Sequence, residues 1–272
     1  MERPILVVGA FDDLRYRDVR LLDDASRLGP VTVLLLTDKA IQATTNTGPK
    51  FPWAERLYLV KAVRFVSEVV PLNGMHLREV LSATADTSPR LWLDCEGPEN
   101  EARRKVSLEI GSEYRVIPLS QPGVAPEPSI SAADSKRKKV IVTGCYDWLH
   151  SGHVRFFEEV SAYGELYVIV GHDANIRLLK GEGHPLLPQE ERRYMAGAIR
   201  YVKQALVSTG GGWLDAEPEI QRLKPDIYAV NEDGDRGGKR EYCSQVGLEY
   251  LVLKRVPAPG LLPRSSTELR GF

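Results

Sequence analysis

The sequence is poor in cysteine, has no long apolar run and carries almost no net charge. Its three cysteines, Cys95, Cys145 and Cys243, are odd in number and far apart. That spacing fits neither a disulfide framework nor a zinc-ligand set, so a reducing cytoplasm is the expected setting. No apolar stretch approaches the roughly 20 residues that cross a bilayer. The opening run Ile5-Leu6-Val7-Val8 stops at Gly9, too soon for an export signal. A soluble, unexported protein with no membrane partner is expected. Lys and Arg total 36 against 37 Asp and Glu, and so near a balance gives no electrostatic reason to expect nucleic acid. No acidic cluster marks a metal held by protein ligands alone. What is present is ordinary for a globular chain: 43% hydrophobic and 27% charged residues over 272 positions, enough for one large or two modest domains.

The main organisational signal is an internal repeat. Ile5-Leu6-Val7-Val8-Gly9-Ala10-Phe11-Asp12 resembles Val140-Ile141-Val142-Thr143-Gly144-Cys145-Tyr146-Asp147. At the same offset, Leu28-Gly29 matches Tyr163-Gly164, and the run from Val31 to Asp38 matches that from Leu166 to Asp173. One residue later in register, Glu55-Arg56 matches Glu191-Arg192, and Arg64-Phe65-Val66 matches Arg200-Tyr201-Val202. A unit this long is a domain. Residues 1–123 and 138–272 are expected to be two domains. The segment 124–137 between them, with Pro126 and Pro128, reads as a linker. Its basic end, Lys136-Arg137-Lys138-Lys139, reads as a solvated approach to a strand.

Each unit alternates strand and helix signals. In the second, Val140–Thr143, Leu166–Val170, Ile227–Val230 and Tyr250–Leu253 are predicted strands. Helices are predicted over Val154–Val160, from about Glu190 to Val202, and near Lys239–Val246. This alternation predicts an α/β fold of two tandem Rossmann-like, doubly wound parallel sheets. Ligands bind such sheets beyond the strand C-termini, which places Gly144, Asp173 and Asn231 at the binding edge.

Two segments carry chemistry. The turn Gly144-Cys145-Tyr146-Asp147-Trp148-Leu149-His150-Ser151-Gly152-His153 joins a strand to a helix N-terminus, where backbone N–H groups and the helix dipole favour phosphate. His150 and His153 flank Gly152, and imidazoles there are placed to donate hydrogen bonds to phosphate oxygens. Arg264-Ser265-Ser266-Thr267-Glu268 joins three consecutive hydroxyls to a capping box, a second phosphate-binding helix start. These residues resemble the HxGH signature and the closing Ser/Thr-rich motif of the cytidylyltransferase-like nucleotidyltransferase superfamily, and Arg200-Tyr201-Val202 resembles a motif of its cytidylyltransferase branch. The tandem layout resembles that of the ethanolamine-phosphate cytidylyltransferases. Arg177–Gly181 followed by Pro185 resembles the heptose-phosphate nucleotidyltransferases.

The resemblance implies that His150, His153 and Lys180 act on the reacting phosphates. It implies that Gly144, Cys145, Tyr146, Asp147, Gly152, Arg200, Asn231, Arg264, Ser265, Ser266 and Thr267 form the nucleotide site, with no protein-held metal. The family's arginine before the Ser/Thr motif corresponds to Arg255 or Arg264. The aspartate usual after the Arg-Tyr-Val trio is Lys203 here. The implied enzyme is a cytidylyltransferase moving CMP from CTP to a phosphorylated alcohol or sugar phosphate, with Mg2+ accompanying the triphosphate. An adenylyltransferase, or a non-catalytic nucleotide-binding protein, is the alternative. In the first unit Arg15, Tyr16, Arg17 and Asp18 replace the histidine motif. That unit is expected to be non-catalytic, an internal partner in a superfamily that commonly dimerises, unless the chain forms a homodimer. No amphipathic membrane-regulatory extension is expected after the last motif, which ends close to Phe272.

Overall fold

The computed structural model describes residues 3–74, 90–98, 100–118 and 136–269; the linker, apart from residues 136 and 137, lies outside the described residues. The chain divides into two units, Met1–Gln121 and Pro122–Phe272. In the first, strands β1 (Ile5–Gly9), β2 (Val31–Leu36), β3 (Glu68–Leu72), β4 (Leu91–Cys95) and β5 (Glu113–Ile117) alternate with helices α1 (Tyr16–Ser26), α2 (Asp38–Thr45), α3 (Trp53–Ala62) and α4 (Asn100–Glu109). They form one parallel sheet in the order β3-β2-β1-β4-β5.

The second unit repeats the plan. Strands β6 (Lys139–Gly144), β7 (Glu165–Val170), β8 (Val202–Val207), β9 (Ile227–Asn231) and β10 (Glu249–Leu253) alternate with helices α5 (Ser151–Ser161), α6 (Asp173–Lys180), α7 (Gln189–Gly197), α8 (Glu217–Leu223) and α9 (Lys239–Val246), and α10 (Ser266–Leu269) follows. The sheet order is β10-β9-β6-β7-β8, again all parallel. The central strands are apolar on both faces, as buried parallel strands must be. Ile141, Tyr167, Ile169, Tyr228 and Val230 pack against Ile220 and Leu223 of α8 and Tyr242 and Cys243 of α9. Strand alternation turns Val140 and Val142 to the other face, where right-handed crossovers place α5; there Val154, Phe157 and Val160 are buried.

The helix predicted to reach Val202 ends at Gly197 instead, and Val202 opens β8, a strand the sequence pattern hid. Ala198, Ile199 and Val202 keep apolar spacing because a tight turn, with Ile199 N–H on the Ala196 carbonyl (3.2 Å) and Val202 N–H on the Ile199 carbonyl (3.0 Å), carries them from helix to strand without leaving the core. Leu28-Gly29 and Tyr163-Gly164 have a steric explanation. A Cβ on Gly164 would lie 2.1 Å from the Lys138 carbonyl oxygen, and one on Gly29 would lie 2.2 Å from that of Arg3. In each unit the chain passes beneath the start of the first strand too closely for any side chain.

Candidate active site

β6 and β9 are neighbours at the centre of the second sheet, and their following helices leave to opposite faces. This is the switch point at which open α/β sheets bind ligands. A cleft of about 470 Å³ opens there, lined on one side by the turn after β6 and the start of α5, and on the other by Asn231, Asp233, Gly234 and Lys239. Thr143 and Tyr228 bridge the two strands beneath it through their hydroxyls, 2.7 Å apart.

Three buried groups shape the turn after β6. Tyr146 adopts a left-handed φ of 52° and folds its ring onto Gly144, where a Cβ would sit 2.8 Å from Cζ; glycine is the residue that leaves the ring its place. Asp147, 3% exposed, accepts the backbone N–H groups of Leu186 (2.7 Å) and Leu187 (2.9 Å) and so ties down the loop that follows Lys180. Arg192 is fully buried and donates to the carbonyls of Cys145 (2.7 Å) and Leu187 (2.9 Å) and to the Asp173 carboxylate (2.6 Å). One guanidinium thereby joins the β6 turn, the β7 terminus and the loop before α7.

His150 caps α5. Its Nδ1 accepts the Gly152 N–H at 3.1 Å, which assigns the ring proton to Nε2. That Nε2 is buried and has no partner. His153 stacks on His150 with centroids 3.9 Å apart, meets Tyr146 edge-on at 5.2 Å, and buries an unpartnered Nδ1 of its own. Burial lowers the His150 pKa to about 3, with Arg255 and Arg264 adding to the effect. Burial, then His150, Arg255 and Lys180, hold His153 well below its ordinary value. Both imidazoles are therefore neutral at pH 7; His150 keeps a free Nε2–H donor, and His153 is also bonded to the Trp148 backbone. Burial also raises the Cys145 thiol pKa, which keeps it protonated and a poor nucleophile.

Most of the residues singled out from the sequence converge on the cleft wall: Gly144, Cys145, Tyr146, Asp147, Gly152, His153, Lys180, Asn231 and Ser266. Lys180, the exposed last residue of α6, makes no hydrogen bond or ion pair with any described residue. His150 stands behind the wall rather than on it, 2% exposed. Arg264 lines a smaller hollow beside Gly152 and Arg255, and its carbonyl oxygen lies 3.4 Å from a Cβ placed on Gly152. Ser265 precedes α10 and accepts the Leu269 N–H through its carbonyl at 3.3 Å. The Thr267 side chain lies outside the described residues. Arg200 is the exception. It is exposed in the turn entering β8, at the N-terminal edge of a parallel sheet whose site is at the other edge. Arg255 lines both the cleft and the hollow; it pairs with Asp233 at 2.6 Å and donates to the Arg264 carbonyl.

In the sequence Arg192 stands out only as a repeat match, and nothing there marks His184 or Lys239, which also line the cleft. The signal for Arg192 was present: an arginine retained in both copies within an otherwise apolar helix face. No pattern marked Lys239.

The two units serve as an internal control. Asp12 accepts Lys50 N–H (2.6 Å) and Phe51 N–H (2.8 Å) as Asp147 does in its unit. Arg56, fully buried, bonds the Phe51 and Ala10 carbonyls and Asp38 as Arg192 does its counterparts. Phe11 repeats the left-handed φ of Tyr146, at 46°. The shared features are architecture. The two units differ at the residues of the histidine motif. Arg15 stands for His150, and its N–H donates to Asp18 at 2.9 Å; Asp18 stands for His153, its pKa raised by burial. Thr45, whose hydroxyl donates to its own helix at the Ile41 carbonyl (2.9 Å), closes α2 where Lys180 closes α6.

Comparison with known proteins matches the site. A family model described as cytidylyltransferase-like matches residues 141–271. The FAD synthase of Ferroglobus placidus is 38% identical over 120 residues, covering 43% of this chain and 75% of that protein. That of Pyrococcus horikoshii is 41% identical over 125 residues, 44% of this chain and 82% of that protein. The bifunctional protein HldE of Pseudomonas putida is 33% identical over 169 residues, 61% of this chain and 33% of that protein. The chain therefore belongs to the cytidylyltransferase-like family and is a nucleotidyltransferase.

Proposed function

We propose that the second unit transfers a nucleoside monophosphate from a nucleoside triphosphate, ATP in the first instance, to a phosphorylated alcohol or sugar phosphate. The observation that carries the reaction type is the set at the α5 N-terminus: two neutral, partnerless imidazole nitrogens beside Gly152, faced by the unpaired Lys180. An oxygen of the acceptor phosphate attacks the α-phosphorus, the bond from α-phosphorus to the bridging oxygen breaks, and pyrophosphate leaves with the electron pair. His153 and the α5 N-terminal amides are placed to meet the charge developing on the α-phosphate. Lys180 is assigned to the phosphates of both substrates, and Ser266 to the β- and γ-phosphates of the triphosphate. The Nε2–H of His150, behind Gly152, supports the same charge from inside. Positioning and charge neutralisation suffice for such a displacement, without a covalent enzyme intermediate.

No group of three His, Cys, Asp or Glu among the described residues is placed to hold a metal. Asp147 is spent on backbone N–H groups and Asp233 on Arg255. The residues present do not form a magnesium cage, so we propose that Mg2+ enters as the triphosphate's chelate, and no step is routed through it. The first unit, without the histidines and Lys180, is proposed to be a non-catalytic scaffold. Loss of solubility or activity on removing residues 1–123 is the expected result, and a fully active remainder contradicts it.

The choice of ATP rests on the FAD synthases, whose product joins an adenylyl group to a flavin phosphate. CTP is the second reading, favoured by the cytidylyltransferase-like description and the Arg200-Tyr201-Val202 resemblance. Pyrophosphate release with each of the four nucleoside triphosphates, against a panel of phosphorylated acceptors including FMN and sugar phosphates, decides between them. Turnover with ATP at least about tenfold above CTP is expected; the reverse order replaces the base and keeps the mechanism.

A further inference from the structure

Lys239 opens α9 and is 8% exposed, yet it lines the cleft. Its ammonium has three N–H donors and one partner, the Gly234 carbonyl at 3.3 Å. It lies 6.0 Å from the Tyr228 ring centroid, and no carboxylate of a described residue is within ion-pair distance of it. None of the acids around it makes an ion pair with it: Asp215, which accepts the Ser208 hydroxyl at 2.7 Å, attracts it only through space, as does Asp235, which holds Arg240 at 2.7 Å, and Asp233 holds Arg255 at 2.6 Å. A buried cation with two idle donors is costly unless an anion is supplied.

The first unit shows the alternative. Its β4 and β5 have the same lengths and spacing as β9 and β10, so by residue count Arg103 corresponds to Lys239, and Asp94 to Val230. Arg103 is neutralised within the protein by Asp94, at 2.7 Å with the carboxylate 5% exposed. In the unit that keeps the histidines, the carboxylate is a valine and the cation is left to face the cleft.

We infer that Lys239 binds the anionic group of the acceptor, a phosphomonoester. This rests on the nucleotidyltransferase reading above. The side of the sheet selects acceptor over nucleotide. His153, Gly152 and Ser266 belong to the α5 face, whereas Lys239 rises from the face that packs α8 and α9, across the cleft. An acceptor held there approaches the α-phosphate from the side opposite the α5 N-terminus.

The test is calorimetric titration of the full chain with methyl phosphate, in the presence of saturating α,β-methylene-ATP and, in a second series, α,β-methylene-CTP. Lys239→Gln keeps a donor for the Gly234 carbonyl but removes the charge. It is expected to weaken methyl phosphate about tenfold or more, while Lys239→Arg stays within about threefold of wild type, and nucleotide affinity is unchanged in both. Equal methyl phosphate affinity in wild type and Lys239→Gln overturns the assignment, as does absence of methyl phosphate binding to wild type. Weakened nucleotide binding in Lys239→Gln hands the lysine to the triphosphate and also overturns it. If neither analogue binds wild type, the nucleotidyltransferase reading itself has failed. Once an acceptor turns over, Lys239→Gln is expected to raise its KM and leave the KM for the triphosphate unchanged.

Discussion

Gly152 donates its N–H to His150 Nδ1, and from that one bond follow the tautomer, the neutral charge and the unsatisfied Nε2–H of the buried imidazole. A donor preorganised in a dry site gains much more from a developing phosphate charge than a solvated one does. His153→Ala is therefore expected to lower kcat/KM by about 10²–10³-fold with little change in nucleotide affinity, as read in steady-state kinetics beside equilibrium binding. The same burial has a cost in acid. Both histidines titrate below their unfolded value near 6.5, so the unfolded chain binds more protons as pH falls below that value. Stability conferred by the neutral rings is complete above pH 6.5 and is lost on descent toward pH 3, by up to about 1.4 kcal/mol per histidine per pH unit. Chemical denaturation between pH 7 and 4 is expected to show this slope in wild type and a shallower one in His150→Ala/His153→Ala. Parallel slopes contradict the burial argument.

Among the elements, the β6–α5 turn is held by the same buried arginine and aspartate in both units. Replacing Arg192 with methionine leaves the Cys145 and Leu187 carbonyls and Asp173 without their donor. A loss of about 3–5 kcal/mol is expected in calorimetric unfolding, and Arg56→Met is expected to cost the first unit a similar amount. Asp147→Asn is milder: it keeps one acceptor for the Leu186 and Leu187 N–H groups but loses the charge. It is expected to cost about 1–3 kcal/mol and to reduce activity by loosening the loop that follows Lys180 and carries His184. Much of this element layer was legible in the sequence. Val140–Thr143 and Leu166–Val170 are unbroken apolar runs, and Gly29 and Gly164 recur because no side chain fits there. β8 was not legible, because Ala198, Ile199 and Val202 continue the helical spacing of α7 across a turn. The distance of Arg200 from the cleft was hidden for the same reason: a residue placed on a helix beneath the site belongs to a turn at the far edge of the sheet. Lys239 was invisible for another cause. Its significance is the missing carboxylate at Val230, a fact about two strands and a helix that no local pattern encodes.

Across the whole molecule, two copies of one sheet order have kept the same buried arginine, the same aspartate clamp and the same left-handed turn residue, and have diverged at the residues that would meet phosphate. Among the described residues no helix is long and apolar enough to cross a membrane. The division of labour predicts one working site. In the full chain, His150→Ala/His153→Ala is expected to leave less than about 1% of wild-type turnover, whereas Arg15→Ala/Arg17→Ala leaves it unchanged; the opposite pattern would move the activity to the first unit. That the α5 N-terminus joins a nucleoside monophosphate to a phosphorylated acceptor is tested by mass spectrometry of the product with pyrophosphate measured in the same reaction. One pyrophosphate is expected for each molecule of acceptor carrying a nucleoside monophosphate, with both products lost together in His153→Ala. Triphosphate breakdown that yields no such adduct, or an adduct formed equally well by His153→Ala, would contradict it.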